Sequence, residues 1–200
     1  MSQSPRSRSQ GGITSRTGER SRSRPGDLPA EGIPADAEAM RAARRRWASG
    51  VTVVTTSQPA ENGPHFRGAT VSAFQPLSLD PPLVAVALET GGALADMVET
   101  TRICAISVLD RAHASSADRF AGLAPPPNAR FDGIPYALAE SGTGCPILTG
   151  ALAWFDCRVR EIVPAGDHRL FLCDVIRLGL GDDTDDPLLN YEGAYRRIEG

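Results

Sequence analysis

The sequence predicts a mainly β protein, a six-stranded antiparallel Greek-key barrel with short peripheral helices, formed by residues 36–200. Two observations point there. Short β-branched or apolar runs alternate with strong turn signals from Val51 to Val175. The helices read between them are short. Closing six such strands into a barrel also removes the unpaired edges that an open sheet would expose.

Residues 1–35 stand apart. They are rich in Ser, Arg, Gly and Pro with almost no large apolar side chain, so burial cannot offset their ordering entropy and a disordered tail is expected. The remaining length suits one core. A formal net charge of -3 with pI near 5.6 gives no footprint for nucleic acid. A reading in which the Arg/Ser tail contacts nucleic acid stands as a minor alternative. Every basic residue is Arg and none is Lys, the mark of a GC-rich genome. Cys104, Cys145, Cys157 and Cys173 form no C-x-x-C pair and have no spaced His partners, which argues against zinc and against a disulfide framework. They read as free thiols, and Cys104, Cys157 and Cys173, in strand-like apolar runs, as small buried hydrophobes. No apolar run spans a bilayer and no secretory leader opens the chain, so the expectation is a cytoplasmic protein without a membrane partner.

Taken in order, Asp36 to Ser49 reads as a helix capped by Asp36, its apolar stripe closed by Trp47 and its end set by Gly50. Arg41, Arg44, Arg45 and Arg46 read as its solvated face, with an Arg beside a phosphate as the alternative. Val51 to Thr56 is a β-branched strand. Asn62-Gly63-Pro64 turns it into an antiparallel hairpin with Gly68 to Phe74. His65 sits at that tip and is set aside. In the next stretch, Pro76 is expected to end pairing, Ser78-Leu79-Asp80 to fill an elbow before Pro81-Pro82, and Leu83 to Leu88 to form a strand buried on both sides. This elbow would place Thr70, Ser72, Ser78 and Asp80 around one concavity fit for a polar planar ligand or a phosphate.

Glu89-Thr90-Gly91-Gly92 precedes a short helix through about Glu99, and glycines before a helix offer backbone N–H groups to a phosphate. Ile103 to Leu109 is a buried strand, Ala112 to Gly122 a helix, and Pro125-Pro126-Pro127 an extended connection. Leu148 to Ile162 reads as one long strand, turned by Pro164-Ala165-Gly166-Asp167 into its partner, His168 to Val175. Gly179 to Asp186 is an acidic loop whose carboxylates lack metal-ligand spacing and read as solvated.

The order G-x-T-V-S-x-F, then S-L-D-P-P-L-V, then G-D-H at 166–168, then P-L-L-x-Y-x-G-x-Y at 187–195 resembles the short-chain flavin reductases with the FMN-binding split-barrel fold. These are similar to the reductase components of two-component flavin-dependent monooxygenases, including those of actinomycete secondary metabolism and antibiotic biosynthesis. The resemblance runs from about Trp47 to Tyr195. It implies a homodimer with each flavin near the subunit interface. It also implies reduction of free FAD or FMN by NADH, preferred to NADPH, and delivery of reduced flavin to a partner monooxygenase. By the same resemblance Thr70, Val71, Ser72 and Ala73 would meet the isoalloxazine rim, while Ser78, Leu79 and Asp80 would meet the ring and ribityl chain. Thr90, Gly91 and Gly92 would lie near the phosphate, and Ser107 would stand where the family has Asn. His168 would position the nicotinamide. Hydride passes between cofactors, so no catalytic side chain and no metal is called for. Two departures are visible: Thr90 with bare glycines where many relatives place Ser or Thr at the phosphate, and Cys173 where a Gly is usual. No G-x-G-x-x-G turn is present, so dinucleotide binding is not of the Rossmann kind. The competing reading is a flavin-binding or electron-carrying protein of the same fold that does not turn over NADH.

Overall fold

The structure is a computed structural model and describes residues 32–124, 131–182 and 186–198. The expected tail up to residue 31, the connection at Pro125-Pro126-Pro127, and Asp183 to Asp185 of the acidic loop lie outside the described residues.

The elements are α1 (Ala37–Arg45), β1 (Ser49–Gly50), β2 (Thr52–Gln58), β3 (His65–Val71), β4 (Phe74–Leu79), β5 (Pro82–Glu89), α2 (Ala93–Thr101) and β6 (Ile103–Val108). There follow a 3-10 turn at Arg111–His113, α3 (Ala114–Phe120), β7 (Tyr136–Leu138), β8 (Pro146–Leu148), β9 (Ala153–Ala165), β10 (His168–Leu180), β11 (Leu189–Tyr191) and β12 (Ala194–Arg196). Seven strands form one antiparallel sheet in the order β3-β2-β6-β9-β10-β5-β4.

Chain connectivity forces that sheet to close. β3 and β4 are its two ends, yet only Ser72 and Ala73 join them. Six interstrand spacings laid flat would separate the ends by about 29 Å, whereas three Cα steps reach at most about 11 Å. The sheet therefore curls into a barrel, and the corner is fastened where the Ala87 amide donates to the Ala73 carbonyl at 3.0 Å.

Seven strands rather than six arise from the stretch expected to be an elbow. Pro76 does not end pairing: it sits opposite Val84 in β4, with a register irregularity before Ser78. β4 is an edge strand, where a missing N–H costs no ladder bond. The bend falls earlier, at Ser72-Ala73. The expected long strand from Leu148 is likewise broken between Leu148 and Ala153, where Gly150 adopts φ +82°. The first helix begins as expected, with Asp36 accepting from the Glu38 and Ala39 amides at 3.0 and 2.8 Å. It ends at Arg45 rather than Ser49, and Trp47 is 75% exposed instead of closing an apolar stripe. α1 buries none of its residues.

Three apolar clusters hold the domain. The largest joins Val54, Val84, Val86, Ile106 and Phe171 with Cys104, Cys157 and Cys173, and Leu94, Ala95 and Val98 of α2 pack into it. On the opposite face of β2, Val51 and Val53 meet Leu109, Phe120 and Leu148. A third gathers Ala105, Cys145 and Ile147. β2 is thus buried on both faces, and its hydroxyls find carbonyl partners: Thr52 donates to Val71 at 2.7 Å and Thr56 to Ile103 at 2.8 Å. All four cysteines are buried free thiols. Burial pushes the Cys145 thiol up to about 11. Contact with Cys157, ahead of burial itself, drives Cys104 upward. All four serve as packing.

Candidate functional site

The seven-stranded sheet, α1, α2 and the loop carrying Phe131 enclose a cleft of about 700 Å³, a volume typical of small-molecule sites. One wall is the continuous run His65 to Ala73. Alternate side chains of a strand point to opposite faces, so nine consecutive lining residues mean that the strand presents its edge. β3 pairs only with β2 and ends the sheet, which leaves the row of backbone N–H and C=O groups on its far side turned to the cleft. Behind that wall Phe131 packs against Phe120, Phe66 and Tyr136 with ring centroids 5.0 to 5.9 Å apart. This cluster gives the cleft a stiff apolar backing.

The far wall is Ala87 to Glu89 with Gly92 to Ala95. Gly92 caps α2 without any side-chain hydrogen bond, so the first-turn amides of the helix lack intrahelical acceptors and carry the positive end of its dipole. Asp96 in that turn would oppose the field, but it is engaged by Arg169 at 2.5 Å, and Arg169 also binds Glu99. His168 opens β10 at the cleft, its Nδ1 2.7 Å from Asp167 Oδ1. That hydrogen bond, then the charge of His168, hold the Asp167 carboxyl below the usual carboxylate range, and Arg44 adds to the effect. The Thr90 amide donates to the Asp167 carbonyl at 3.0 Å, tying the turn before α2 to the β9–β10 hairpin.

Of the residues expected at the site, Thr70, Val71, Ser72, Ala73, Gly92 and His168 meet around this cleft. Thr70 commits its hydroxyl hydrogen to the Ala117 carbonyl at 2.6 Å, so toward a ligand its side chain is left only as an acceptor. Ser78, Leu79 and Asp80 are not brought there: they sit at the far end of the β4–β5 hairpin, with Leu79 96% exposed. The one concavity expected to hold Thr70, Ser72, Ser78 and Asp80 is therefore divided, because the corner at Ser72-Ala73 sends the chain away along β4. Thr90 and Gly91 lie in the turn behind the lining, Gly91 at φ +78°. Ser107 is fully buried and its hydroxyl accepts from the Leu148 amide at 3.0 Å, holding β8 to β6. The lining adds Arg44, His65, Arg67 and Glu89. His65 lies in β3 rather than in a loop, and only its place on the sheet edge marks it. Among the described residues no group of His, Cys, Asp and Glu is arranged to hold a metal.

A curled barrel whose open strand edge faces an uncapped helix N-terminus across a cationic cleft defines a β-barrel protein built to hold a planar, phosphate-bearing cofactor. The flavin reductase like domain matches residues 44–199, and the chain belongs to that family. It is 36% identical over 160 residues to an NADH-dependent flavin reductase of a Rhodococcus species, covering 80% of this chain and 85% of that one. It is 36% identical over 161 residues to the reductase component of 4-hydroxyphenylacetate 3-monooxygenase from Thermus thermophilus, covering 80% and 96%. Among solved structures, the NADH:FAD oxidoreductase SgcE6 of Streptomyces globisporus superimposes with a TM-score of 0.76 at 30% identity, over 86% of this chain and all of that one. SgcE6 has also been solved with NAD and FAD fragments.

Proposed function

We propose that this protein is an NADH-dependent flavin reductase that takes free FAD or FMN as substrate and hands the reduced flavin to a partner monooxygenase. The observation that carries the reading is the cleft: an unpaired strand edge, an apolar aromatic backing and an uncapped helix N-terminus converge on one cavity. These donors fit the group. The end of the β3 edge at Thr70 and Val71, continued by the corner residues Ser72 and Ala73, suits the donors and acceptors of an isoalloxazine rim, and the amides of Ala93 to Ala95 suit its phosphate. Bound flavin supplies the redox chemistry, accepting a hydride from NADH and a proton to give dihydroflavin and NAD+.

The protein's share is alignment and exclusion of water. His168 borders the nicotinamide side, and Asp167 holds its Nδ1 so that the ring keeps one orientation. The curated relatives named as NADH-dependent, reducing either FAD or FMN, support both the nicotinamide preference and the breadth of flavins. A monooxygenase partner is supported by the relative that is a monooxygenase reductase component.

Assembly as a homodimer is part of the reading. Leu77 and Leu79 on β4 and Leu178 and Leu180 on β10 are more than half exposed, apolar surface that a second copy would cover. The hairpin tip with Ser78, Leu79 and Asp80 would then reach a flavin bound to the other subunit. No described helix is long and apolar enough to cross a membrane, and a cytoplasmic setting within secondary metabolism completes the proposal. The test is NADH consumption by the purified protein with FAD, FMN or no flavin. Turnover that saturates with added flavin supports the reductase. A tightly held yellow chromophore without turnover would instead indicate a carrier.

A further inference from the structure

The three arginines of α1 and Arg46, which caps its C-terminus, look equivalent in the sequence, but the fold separates them. Arg45 is spent on the β11–β12 turn, where its Nη2 donates to the Glu192 carbonyl at 3.0 Å and the Glu192 amide donates back to its carbonyl at 2.8 Å. Arg41 and Arg46 line no cavity described here. Arg44 alone of the four lines the cleft. It stands on the His168 side, close enough for its charge to act on Asp167, and its guanidinium has no hydrogen-bond or ion-pair partner among the described residues. Asp167 is already bonded to His168 and is 93% exposed in its side chain, so it does not consume the charge of Arg44. A guanidinium at the mouth of a cleft, without a carboxylate of its own, offers two parallel N–H donors to a phosphate.

We propose that Arg44 is a phosphate clamp for the reaction, carried into the cleft by a helix that the barrel does not bury. This rests on the flavin reductase reading. α1 has no buried residue, and the paired hydrogen bonds between Arg45 and Glu192 are its described tether to the β11–β12 hairpin. The clamp is thus held by a weakly fastened element that can adjust to a ligand. The ligand chemistry is a phosphate monoester or pyrophosphate, carried by FMN or FAD or by NADH.

The test is steady-state kinetics of Arg44→Ala and Arg44→Lys in the full chain. Each is assayed with FMN against riboflavin and with NADH against dihydronicotinamide riboside, which lacks phosphate. Loss of one charge-assisted contact should raise the KM of the phosphorylated partner about tenfold with kcat within about twofold, leave its phosphate-free counterpart unchanged, and be partly restored by Lys. A rise confined to FMN places the clamp on the flavin, and one confined to NADH places it on the dinucleotide. Arg45→Ala should shift the same KM in the same direction by less, and Arg41→Ala should leave it unchanged. Equal KM values for wild type and Arg44→Ala with every substrate, or equal rises with riboflavin and FMN, would overturn the proposal. Should the wild type not oxidise NADH, the reductase reading fails separately. The clamp is then judged by fluorescence titration of FMN and riboflavin, where equal FMN affinity in wild type and Arg44→Ala refutes it.

Discussion

The two strands that flank Ser72-Ala73 have similar amounts of sequence signal and opposite surroundings. β3, on one side, is a cleft wall with Gly68 and Val71 buried, its own Phe66 packed with the rings of Phe131, Phe120 and Tyr136. β4, on the other, is a mostly exposed edge whose tip carries Leu79 into solvent. The difference comes from what lies behind each strand. β3 is sandwiched between the barrel and α3 with Phe131, whereas nothing within the described chain covers the outer face of β4. Small polar residues close together in sequence therefore need not share a site.

The sharpest way to break the β3 side is to fill its narrowest point. A Cβ on Gly68 would stand 2.7 Å from Phe120 Cε1, and Phe120 is 1% exposed. Gly68→Val should destabilise the domain by about 1–3 kcal/mol through overpacking and displace the wall. Chemical denaturation read together with flavin affinity checks both, and a variant as stable as wild type would show that the aromatic cluster yields freely.

Next in size is His168→Ala, which should raise the KM for NADH about tenfold while changing flavin affinity by less than about threefold. Unchanged NADH kinetics would remove His168 from the nicotinamide side. The β4 side is probed by Leu79→Asp, which leaves the cleft of a single chain intact. If a second copy covers the hairpin tip, the variant should run as a monomer in sedimentation and bind flavin about fivefold more weakly through lost contacts. A monomeric variant with full flavin affinity would confine the site to one chain.

The smallest effect concerns Tyr195, which β12 sets against α3. Tyr195 donates to Asp118 Oδ1 at 3.0 Å, and its phenol is pushed up to about 12, first by burial and then by that carboxylate. The raised value means that its contribution is complete below the ordinary phenol range and disappears as pH rises through about 12. An ultraviolet titration should find one phenol ionising late. Tyr195→Phe should abolish that late step with little loss of stability at neutral pH.

Much of the fold was legible before the structure. The β-branched run at Val51 to Thr56, the turn at Asn62-Gly63-Pro64 and the partner strands after Ile103 and His168 carry local signals: side-chain shape at the backbone, Gly at positive φ and short apolar periodicity. The family signatures pointed to Thr70 to Ala73 and His168, and the glycines ahead of a helix pointed to Gly92; these residues line one cleft. β4 was not legible, because whether a Pro interrupts a strand depends on whether its N–H side faces a neighbour, and edge position is a property of the assembled sheet. Nor was the role of the Ser107 hydroxyl, which answers an amide 41 residues later.

The sequence by itself thus determined most of the strands, the turns between them and the family, since these follow from propensity and short-range order. Only the tertiary structure decided which polar residues share a cavity. Closing the sheet at Ser72-Ala73 brought β3, α2, His168 and Arg44 to one space and carried Ser78 to Asp80 away from it, through contacts between residues far apart in the chain that no local pattern encodes.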